Sequence, residues 1–544
     1  MTALRRLLLA VLAFAWAGSL AGCTGLPRAE LGSATLRSTS DEATGRLDSL
    51  VWDLPAGEPT TLDYQQAGDS SPYLVVSNLC DSLLRLNPDF STSPALARSW
   101  DQPDARTLVL HLRDDVRFWD GTALTSADVV YSLKRQLDPN AVASSFFVNV
   151  KSIEATGTHT VTVRFTRPDE LFLKELATTA GTVVQARYAR RAGRKFGTAA
   201  GGVMCSGPFE LAAWTSDASI ELKANPRYWD ARYRAHARKV TLLFVTDTTA
   251  LTQTLASGAV DGAYDVPNAA LPTLKGSVAG QLYYGPSLKS VQVAPLQEKG
   301  ISAELDIRRA LSLAVDRTQL ADTVYRGAAT PSTTVLPVTG WDPETRSVYR
   351  KAAAALPLAH PTPTAADLRT ARALVAKHPA LRSGTLAVAA GNQDQINAAA
   401  VIQQAARSIG ITLTIRQLPA LQFSSMFYDP TYRRGLDFVL AEAFLDIPDP
   451  LDWIPNLVLP DAMFNWAGFD DPAATAALTT AQQTLDPRRR AALITDAQRR
   501  WEARTLAVPL LSPYEVTYMN KRITGATTSF AQTFAPSLAL IGSR

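Results

Sequence analysis

Residues 108–133 read LVLHLRDDVRFWDGTALTSADVVYSL, and this stretch carries the strongest local information about the fold. Apolar residues alternate through Thr107–Leu112, which is the period of a half-buried strand. Asp120-Gly121 predicts a turn. Thr125, followed three residues later by Asp128, has the spacing of a helix capping box. The stretch therefore predicts a strand, a turn and a helix, in that order.

A second unit with the same alternation lies at 385–417. It predicts a strand, a helix from Asp394 to Ser408 and a return strand, which is normally a right-handed parallel crossover. The inner face of this helix is predicted to hold Ile396, Ala400 and Ala405. Because strands alternate with helices in both halves of the chain, we predict an α/β fold. The length of 544 residues requires more than one domain.

The composition is that of a soluble globular protein with a large core, since 46% of the residues are hydrophobic and 19% are charged. Beyond residue 22 the chain has 52 basic and 50 acidic residues, a net charge of +2. There is no long basic run. The sequence therefore predicts no binding to nucleic acid.

The first 23 residues have the pattern of an export signal. Arg5 and Arg6 precede an apolar run, Leu7–Leu20, that is too short to cross a bilayer comfortably, and Ala-Gly-Cys23 follows. This pattern resembles a bacterial lipoprotein signal, which implies removal of 1–22, lipidation of Cys23 and anchoring to the outer face of the cell membrane. An ordinary secretory signal with an incidental cysteine is the alternative. Residues 23–44 are predicted to form a flexible tether.

Two cysteines remain if Cys23 is lipidated. Cys80 and Cys205 are too far apart in the sequence for a CxxC redox or zinc pattern. Disulfides persist in the oxidising compartment that an export signal implies, so we predict a Cys80–Cys205 bridge. Two buried free thiols are the alternative.

Motifs of catalytic and cofactor sites are absent. The chain has no HExxH, GxSxG, SxxK or Walker A pattern and no GxGxxG after a predicted strand. Its five histidines are scattered singly. The sequence therefore predicts no enzyme activity, no cofactor and no metal site.

Four groups of motifs resemble the extracellular solute-binding proteins of family 5, the dipeptide- and oligopeptide-binding components of ABC importers. The first group, PALARSW at 94–100 followed by the stretch quoted above, is highly specific. The resemblance covers nearly the whole chain beyond the signal. The other groups contain SGPF at 206–209 with NPRYW at 225–229, DIRRALSLAVDR at 306–317, and DIPDP at 446–450.

The resemblance implies a two-lobed clamshell, a periplasmic-binding-protein-like α/β fold with an extra subdomain inserted in the first lobe. Two chain crossings, near Val291 and Leu510, would act as the hinge. Cys80 and Cys205 would then flank the inserted subdomain. The implied division is 45–80, 205–290 and 510–544 for lobe I, 81–204 for the inserted subdomain, and 291–509 for lobe II.

Asp446 is the main candidate site residue. In peptide-binding members an aspartate just before an Asp-Pro or Glu-Pro step receives the α-ammonium of the ligand, and Asp446 occupies that position. A buried ammonium needs such a partner because an unpaired buried charge is very costly. Alternatively, Asp446 caps the helix that starts near Pro450 or orders the loop, although Asp449 is better placed as the cap.

Three further segments are candidates for ligand contact. Gly68-Asp69-Ser70 resembles the family stretch that pairs with the ligand main chain, as an added strand would. Phe146 and Phe147 resemble an aromatic that faces the cleft, with burial in the core as the alternative. Ser512 and Tyr514 lie where the returning hinge strand borders the cleft, with packing of the hinge alone as the alternative.

The implied function is a lipid-anchored subunit that captures peptides and delivers them to an ABC permease, as a monomer. Two features depart from the family pattern. Glu442 stands where Gly is usual and a Trp is missing nearby, and no arginine occupies the place where some members bind a ligand carboxylate. The alternative is therefore the same fold binding a metal chelate, a glycan or an opine-like compound.

Overall fold

The computed structural model describes residues 35–356 and 359–544. The predicted signal peptide, Cys23 and residues 24–34 of the predicted tether lie outside these residues. The prediction of a flexible tether is wrong for its last ten residues, 35–44, because this segment is hydrogen-bonded to the folded body: the Arg37 backbone N–H donates to the Tyr284 carbonyl and the Ser40 backbone N–H to the Ala526 carbonyl, both at 2.9 Å. In the described part of the chain, every helix is too short or too polar to cross a membrane. Residues 35–544 form one compact unit.

The first lobe contains a seven-stranded mixed sheet. Leu47–Asp53, near its centre, pairs in parallel with Ala237–Leu243 and with Gly262–Ala263, and the other pairings are antiparallel. In sheet order the strands are Gly280–Gly285, Glu515–Asn520, Gly262–Ala263, Leu47–Asp53, Ala237–Leu243, Ser219–Ala224 and Phe209–Thr215.

The second lobe contains a six-stranded mixed sheet. Its central strands, Lys289–Pro295 and Phe438–Phe444, are antiparallel, and the second of these leads directly to Asp446. In sheet order the strands are Ala329–Pro331, Val508–Pro513, Lys289–Pro295, Phe438–Phe444, Ser383–Ala389 and Thr412–Leu418.

The predicted strand–helix–strand unit is confirmed. Ser383–Ala389 pairs in parallel with Thr412–Leu418, and helix Gln393–Ser408 connects them. The predicted inner face is wrong at Ala400, which is exposed. The helix contains three consecutive alanines, 398–400, so the sequence does not distinguish which of these residues faces the core. Tertiary packing decides it. The buried face consists of Ala398, Ala399, Ile402 and Ala406.

The segment between the two cysteines contains a four-stranded antiparallel sheet. The stretch at 108–133 folds as predicted, with strand Thr107–Leu112 and helix Ser126–Arg135. The predicted capping box is present, because the Thr125 backbone N–H donates to the Asp128 carboxylate at 3.1 Å. In sheet order the strands are Ala97–Asp104, Thr107–Leu112, Thr160–Phe165 and Val150–Gly157.

A disulfide joins Cys80 to Cys205, with their Cα atoms 4.8 Å apart. Cys80 directly follows helix Ser70–Leu79, and Cys205 lies shortly before strand Phe209–Thr215. The bridge closes a long loop, with a sequence separation of 125 residues. In the chain-entropy model such a loop contributes close to 5 kcal/mol of stability.

The chain passes between the two large sheets twice. It leaves the first sheet after Gly285 and enters the second at Lys289, and it returns between Pro513 and Glu515. The crossings therefore lie a few residues from the expected hinge positions. Tyr514 is the single residue between the two returning strands.

The remaining elements complete the lobes. Two short strand pairs, Leu84–Leu86 with Thr92–Pro94 and Ile523–Thr524 with Gly542–Ser543, lie outside the larger sheets. A hydrophobic cluster runs from Phe172 in the cysteine-flanked segment to Ile454 in the second lobe. The α-helices of the described residues are Ser70–Leu79, Ser126–Arg135, Leu171–Glu175, Ala186–Ala192, Thr248–Ser257, Leu271–Lys275, Leu305–Ala314, Arg317–Gln319, Arg346–Ala354, Ala365–Ala376, Gln393–Ser408, Ala420–Ser425, Pro450–Val458, Pro472–Gln482 and Pro487–Glu502.

Candidate ligand-binding cavity

A cavity of about 640 Å³ lies between the lobes. The first lobe contributes Gly68 and Tyr73 to its wall, and the cysteine-flanked segment contributes residues between 139 and 146. Strand Phe438–Phe444 and helix Pro450–Val458 form much of the opposite wall. A volume of this size is typical of small-ligand sites. The wall is rich in aromatic rings, among them Phe146, Phe427, Trp453, Phe464, Trp466 and Trp501.

Three of the candidate ligand contacts line this cavity, namely Gly68, Phe146 and Asp446. They come from the first lobe, the cysteine-flanked segment and the second lobe respectively. The fold thus brings together residues that are far apart in the sequence.

Asp69, Ser70 and Phe147 do not line the cavity. The Asp69 carboxylate accepts a hydrogen bond from the Ser71 backbone N–H at 3.0 Å, so it caps helix Ser70–Leu79, and Ser70 is the first residue of that helix. Phe147 is only 3% exposed and packs edge-on against Phe172. For Phe147 the core alternative is therefore correct, because the short helical turn directs only its neighbour Phe146 to the cavity.

Ser512 and Tyr514 are also outside the cavity lining. Ser512 pairs with Thr330 in the second sheet. The Tyr514 backbone N–H donates to the Ala328 carbonyl at 2.9 Å, and the Tyr514 hydroxyl lies 2.7 Å from the Thr330 hydroxyl. Both residues pack the chain crossing, which was the alternative to ligand contact.

Asp446 lies in the loop between strand Phe438–Phe444 and helix Pro450–Val458. The helix is capped by Asp449, whose carboxylate accepts from the Leu451 backbone N–H at 3.1 Å, so Asp446 is not the cap. The Asp446 backbone N–H donates to the Asp452 carboxylate at 2.7 Å. Its own Oδ1 is buried and has no hydrogen-bond partner among the described residues.

Three carboxylates converge at this point. Oxygen atoms of Glu175, Asp446 and Asp452 all lie within 4.8 Å of one another. Glu175 comes from the cysteine-flanked segment, is fully buried, and has no hydrogen-bond partner for either oxygen among the described residues. We call these three residues the carboxylate cluster.

Burial and mutual repulsion disfavour ionisation of the carboxylate cluster. Burial raises the pKa of Asp446 to about 7. Burial is the main reason that the pKa of Glu175 lies well above its usual range, and the charge of Asp452 is the second. The pKa of Asp452 is also well above its usual range, mainly because of burial and secondly because of the charge of Asp446.

Two basic side chains next to the carboxylate cluster, Lys174 and Arg490, are paired with other acids. Lys174 lies 3.0 Å from Asp342 and 2.9 Å from Asp449. Arg490 lies 2.9 Å from Asp342, 3.5 Å from Asp449 and 3.5 Å from Glu170. This buried network joins the cysteine-flanked segment to the second lobe. Within the described ranges, no basic side chain pairs with the carboxylate cluster.

Glu442 is a further acid in the cavity wall, on strand Phe438–Phe444. Its side chain is exposed to the cavity, yet partial desolvation there raises the pKa of its carboxyl, and the nearby Lys289 charge opposes this shift. Lys289 itself is paired, at 2.5 Å from Asp265 and 3.2 Å from Glu515.

Sequence reasoning missed Glu175 and Asp452. Asp452 looks like an ordinary acid in the first turn of a helix, where it interacts favourably with the helix dipole. Glu175 had a readable signal, since it lies three residues after Phe172 and directly before Leu176, on an otherwise apolar helix face. An acid at such a position is expected to be buried.

Comparisons with known proteins place the chain in a family. The family model for bacterial extracellular solute-binding proteins, family 5, matches residues 91–465, which is more than half of the chain. The periplasmic oligopeptide-binding protein OppA of Escherichia coli (strain K12) is 24% identical over 478 residues, covering 82% of this chain and 83% of that protein.

Two solved structures have the same fold. The periplasmic binding protein DppA from Helicobacter pylori, in complex with the peptide STSA, is 20% identical, with a TM-score of 0.76 over 92% of this chain and 98% of that one. AgaA from A. tumefaciens R10, in complex with agropinic acid, is 24% identical, with a TM-score of 0.74 over 91% and 98% of the two chains. The fold is therefore the two-lobed α/β fold of periplasmic binding proteins, and the chain belongs to the bacterial extracellular solute-binding proteins of family 5.

Proposed function

We propose that this protein is the extracytoplasmic, lipid-anchored binding subunit of an ABC importer, which captures peptides between its lobes and delivers them to a permease. In this proposal it acts as a monomer, has no catalytic role and is held at the outer face of the membrane by Cys23. Lobe I comprises 45–80, 205–290 and 510–544, the inserted subdomain 81–204 and lobe II 291–509.

The unpartnered carboxylate oxygen of Asp446 is the observation that carries this proposal. It is buried at the edge of the cavity and has two further carboxylates beside it. The α-ammonium of a peptide would supply the missing positive charge and hydrogen-bond donors. A charge-assisted hydrogen bond of this kind is among the stronger polar contacts in a desolvated site.

Gly68 supports a contribution from main-chain pairing. It lines the cavity, and its backbone N–H and C=O have no hydrogen-bond partner among the described residues. An extended peptide would pair with such free backbone groups in the manner of an added strand. The aromatic wall, including Phe146 and Trp453, would pack against the ligand side chains.

The relatives agree with this proposal at the level of substrate class. OppA is an oligopeptide-binding protein, and the DppA structure contains a peptide. The AgaA structure contains agropinic acid, so a non-peptide ligand is the alternative to a peptide.

Native mass spectrometry of the purified protein that begins at Thr35, the start of the compact unit, followed by calorimetry, tests the proposal. We expect a co-purified peptide and tight binding of short peptides with a free amino terminus. N-acetylated versions of the same peptides are the matched control, and they should bind poorly because acetylation removes the charge that Asp446 would meet. Equal binding of free and acetylated peptides, or a co-purified ligand without an amine, would contradict the proposal.

A further inference from the structure

The cavity wall has a single sign of charge. Glu442, Asp446 and Asp452 line it, whereas its lining contains no Lys, Arg or His among the described residues. Behind this wall, the side chain of Glu175 is fully buried, has no partner for either carboxylate oxygen, and is directed at Asp446 and Asp452. An ammonium placed at Asp446 therefore leaves Glu442, the separate acid in this wall, without a cation from the ligand.

The basic side chains near the cavity are paired with other acids or lie outside its wall. Lys174 and Arg490 pair with Asp342 and Asp449, as described above. Arg433 does not line the cavity, and its guanidinium lies 4.7 Å from the centroid of the Trp466 ring. Among the described residues, the wall thus has no cationic side chain to pair with an anionic ligand group, whereas its acids and aromatic rings attract cations.

Glu442 is separate from the carboxylate cluster. Its carboxylate forms no hydrogen bond and no ion pair within 4.0 Å with the described residues, although Lys289 is near enough to influence its ionisation. Asp446 is four positions further along the chain, so their Cα atoms are at most about 14 Å apart even if the chain is fully extended. If the amino terminus of a peptide is held at Asp446, a positively charged side chain a few residues further along the peptide can reach Glu442 over that distance.

We infer that the cavity selects ligands with at least two positive charges, one received at Asp446 and a second at Glu442, and that Glu442 determines this specificity. This inference rests on the proposed function and adds the class of peptide, namely one with a Lys or Arg near its amino terminus. The aromatic rings of the wall favour the same ligands, because the quadrupole of an aromatic ring stabilises a cation held over the face of that ring. A linear polyamine shares this chemistry and is the other source of such a ligand.

Calorimetry with matched peptides tests the inference. Each peptide is a C-terminally amidated tetra-alanine with lysine or norleucine at position 2, 3 or 4, so that each pair differs mainly in the charged end of one side chain. We expect at least one lysine peptide to bind the wild type about tenfold more tightly than its norleucine partner, as for a hydrogen bond to a charged group. Glu442→Gln should remove this advantage and leave norleucine peptides bound as before. Glu154→Gln, a change at an exposed acid outside the cavity, should have no effect.

Equal binding of all lysine and norleucine pairs to the wild type would overturn the inference and leave the proposed function intact. A lysine advantage that survives in Glu442→Gln would also overturn it. If no peptide binds the wild type, the proposed function fails, and spermidine then decides the inference. Spermidine binding that weakens in Glu442→Gln supports two-charge selection, and no spermidine binding overturns it as well.

Discussion

Replacing Asp446 by Asn is expected to stabilise the unliganded protein and to weaken ligand binding. The two effects have one cause, since the carboxylate is held beside Glu175 and Asp452 without a cation. In the free protein this arrangement is unfavourable, and in the complex the ligand ammonium relieves it. A residue that only shaped the loop would not produce opposite changes in stability and affinity.

The size of the stability change follows from the pKa. Burial raises the pKa of Asp446 from 3.8 to about 7 in the folded protein. Each unit is worth about 1.4 kcal/mol, so full ionisation costs on the order of 4 kcal/mol as an upper bound. Access of water from the cavity lowers this figure, and we expect Asp446→Asn to gain about 2 kcal/mol at pH 8.

The sign of the pH dependence is fixed by the direction of the shift. Because the folded pKa is raised, the wild type loses stability as the pH rises from about 4 to about 7, and the loss is complete above that range. The advantage of Asp446→Asn should therefore be largest at pH 8 and nearly absent at pH 4. The titratable groups that face Asp446 are Glu175, Asp452 and Tyr73, and the charge of Asp446 contributes to the raised pKa of each.

The change in affinity has the opposite sign. Removing one partner of a buried charged pair typically costs about 3–5 kcal/mol, so the dissociation constant for a peptide with a free amino terminus should rise roughly several hundred-fold or more. In the wild type, binding should weaken as the pH falls below about 7, because the carboxylate must then release a proton to receive the ammonium.

Urea unfolding at pH 4, 6 and 8 and calorimetry with one peptide measure both effects. Asp449→Asn is the matched control, since Asp449 caps a helix and pairs with Lys174, and its loss should destabilise the protein. Wild-type affinity in Asp446→Asn, or a loss of stability like that of the control, would refute the role of Asp446 as an amine anchor.

Three further outcomes are expected. Cys23→Ser should move the protein from the membrane fraction to the soluble fraction, and unchanged partitioning would exclude lipid anchoring. Alkylation and mass spectrometry of unreduced protein should find Cys80 and Cys205 blocked, and replacing both by Ala should lower the free energy of unfolding by up to about 5 kcal/mol. Arg490→Met should destabilise the protein by about 3–5 kcal/mol at pH 7, because Asp342 and Asp449 would lose a buried partner, whereas Arg488→Met, in the first turn of the same helix, should change stability by less than about 0.5 kcal/mol.

The local structure near residues 108–133 and 383–418 was predictable from the sequence. The capping box at Thr125 and the alternation of strand residues act over a few positions, and their energetics do not depend on the rest of the fold. The family motifs predicted the two-lobed architecture and the position of Asp446. All of these predictions rest on short runs of neighbouring residues.

Other features depended on contacts between distant segments. Phe146 and Phe147 are adjacent and chemically identical, so only packing against Phe172 decides which one is buried. The same holds for the alanines of helix Gln393–Ser408, where a rotation of one position exposes Ala400.

The carboxylate cluster illustrates the same limit at the candidate site. Glu175 and Asp446 are far apart in the sequence, and nothing local to either residue indicates the other. Their proximity arises when the cysteine-flanked segment packs against the second lobe through the hydrophobic cluster that contains Phe172 and Ile454. The sequence by itself thus determined which elements form and where the candidate anchor lies. Only the tertiary structure decided which charges surround that anchor, because desolvation and charge repulsion depend on distances in space.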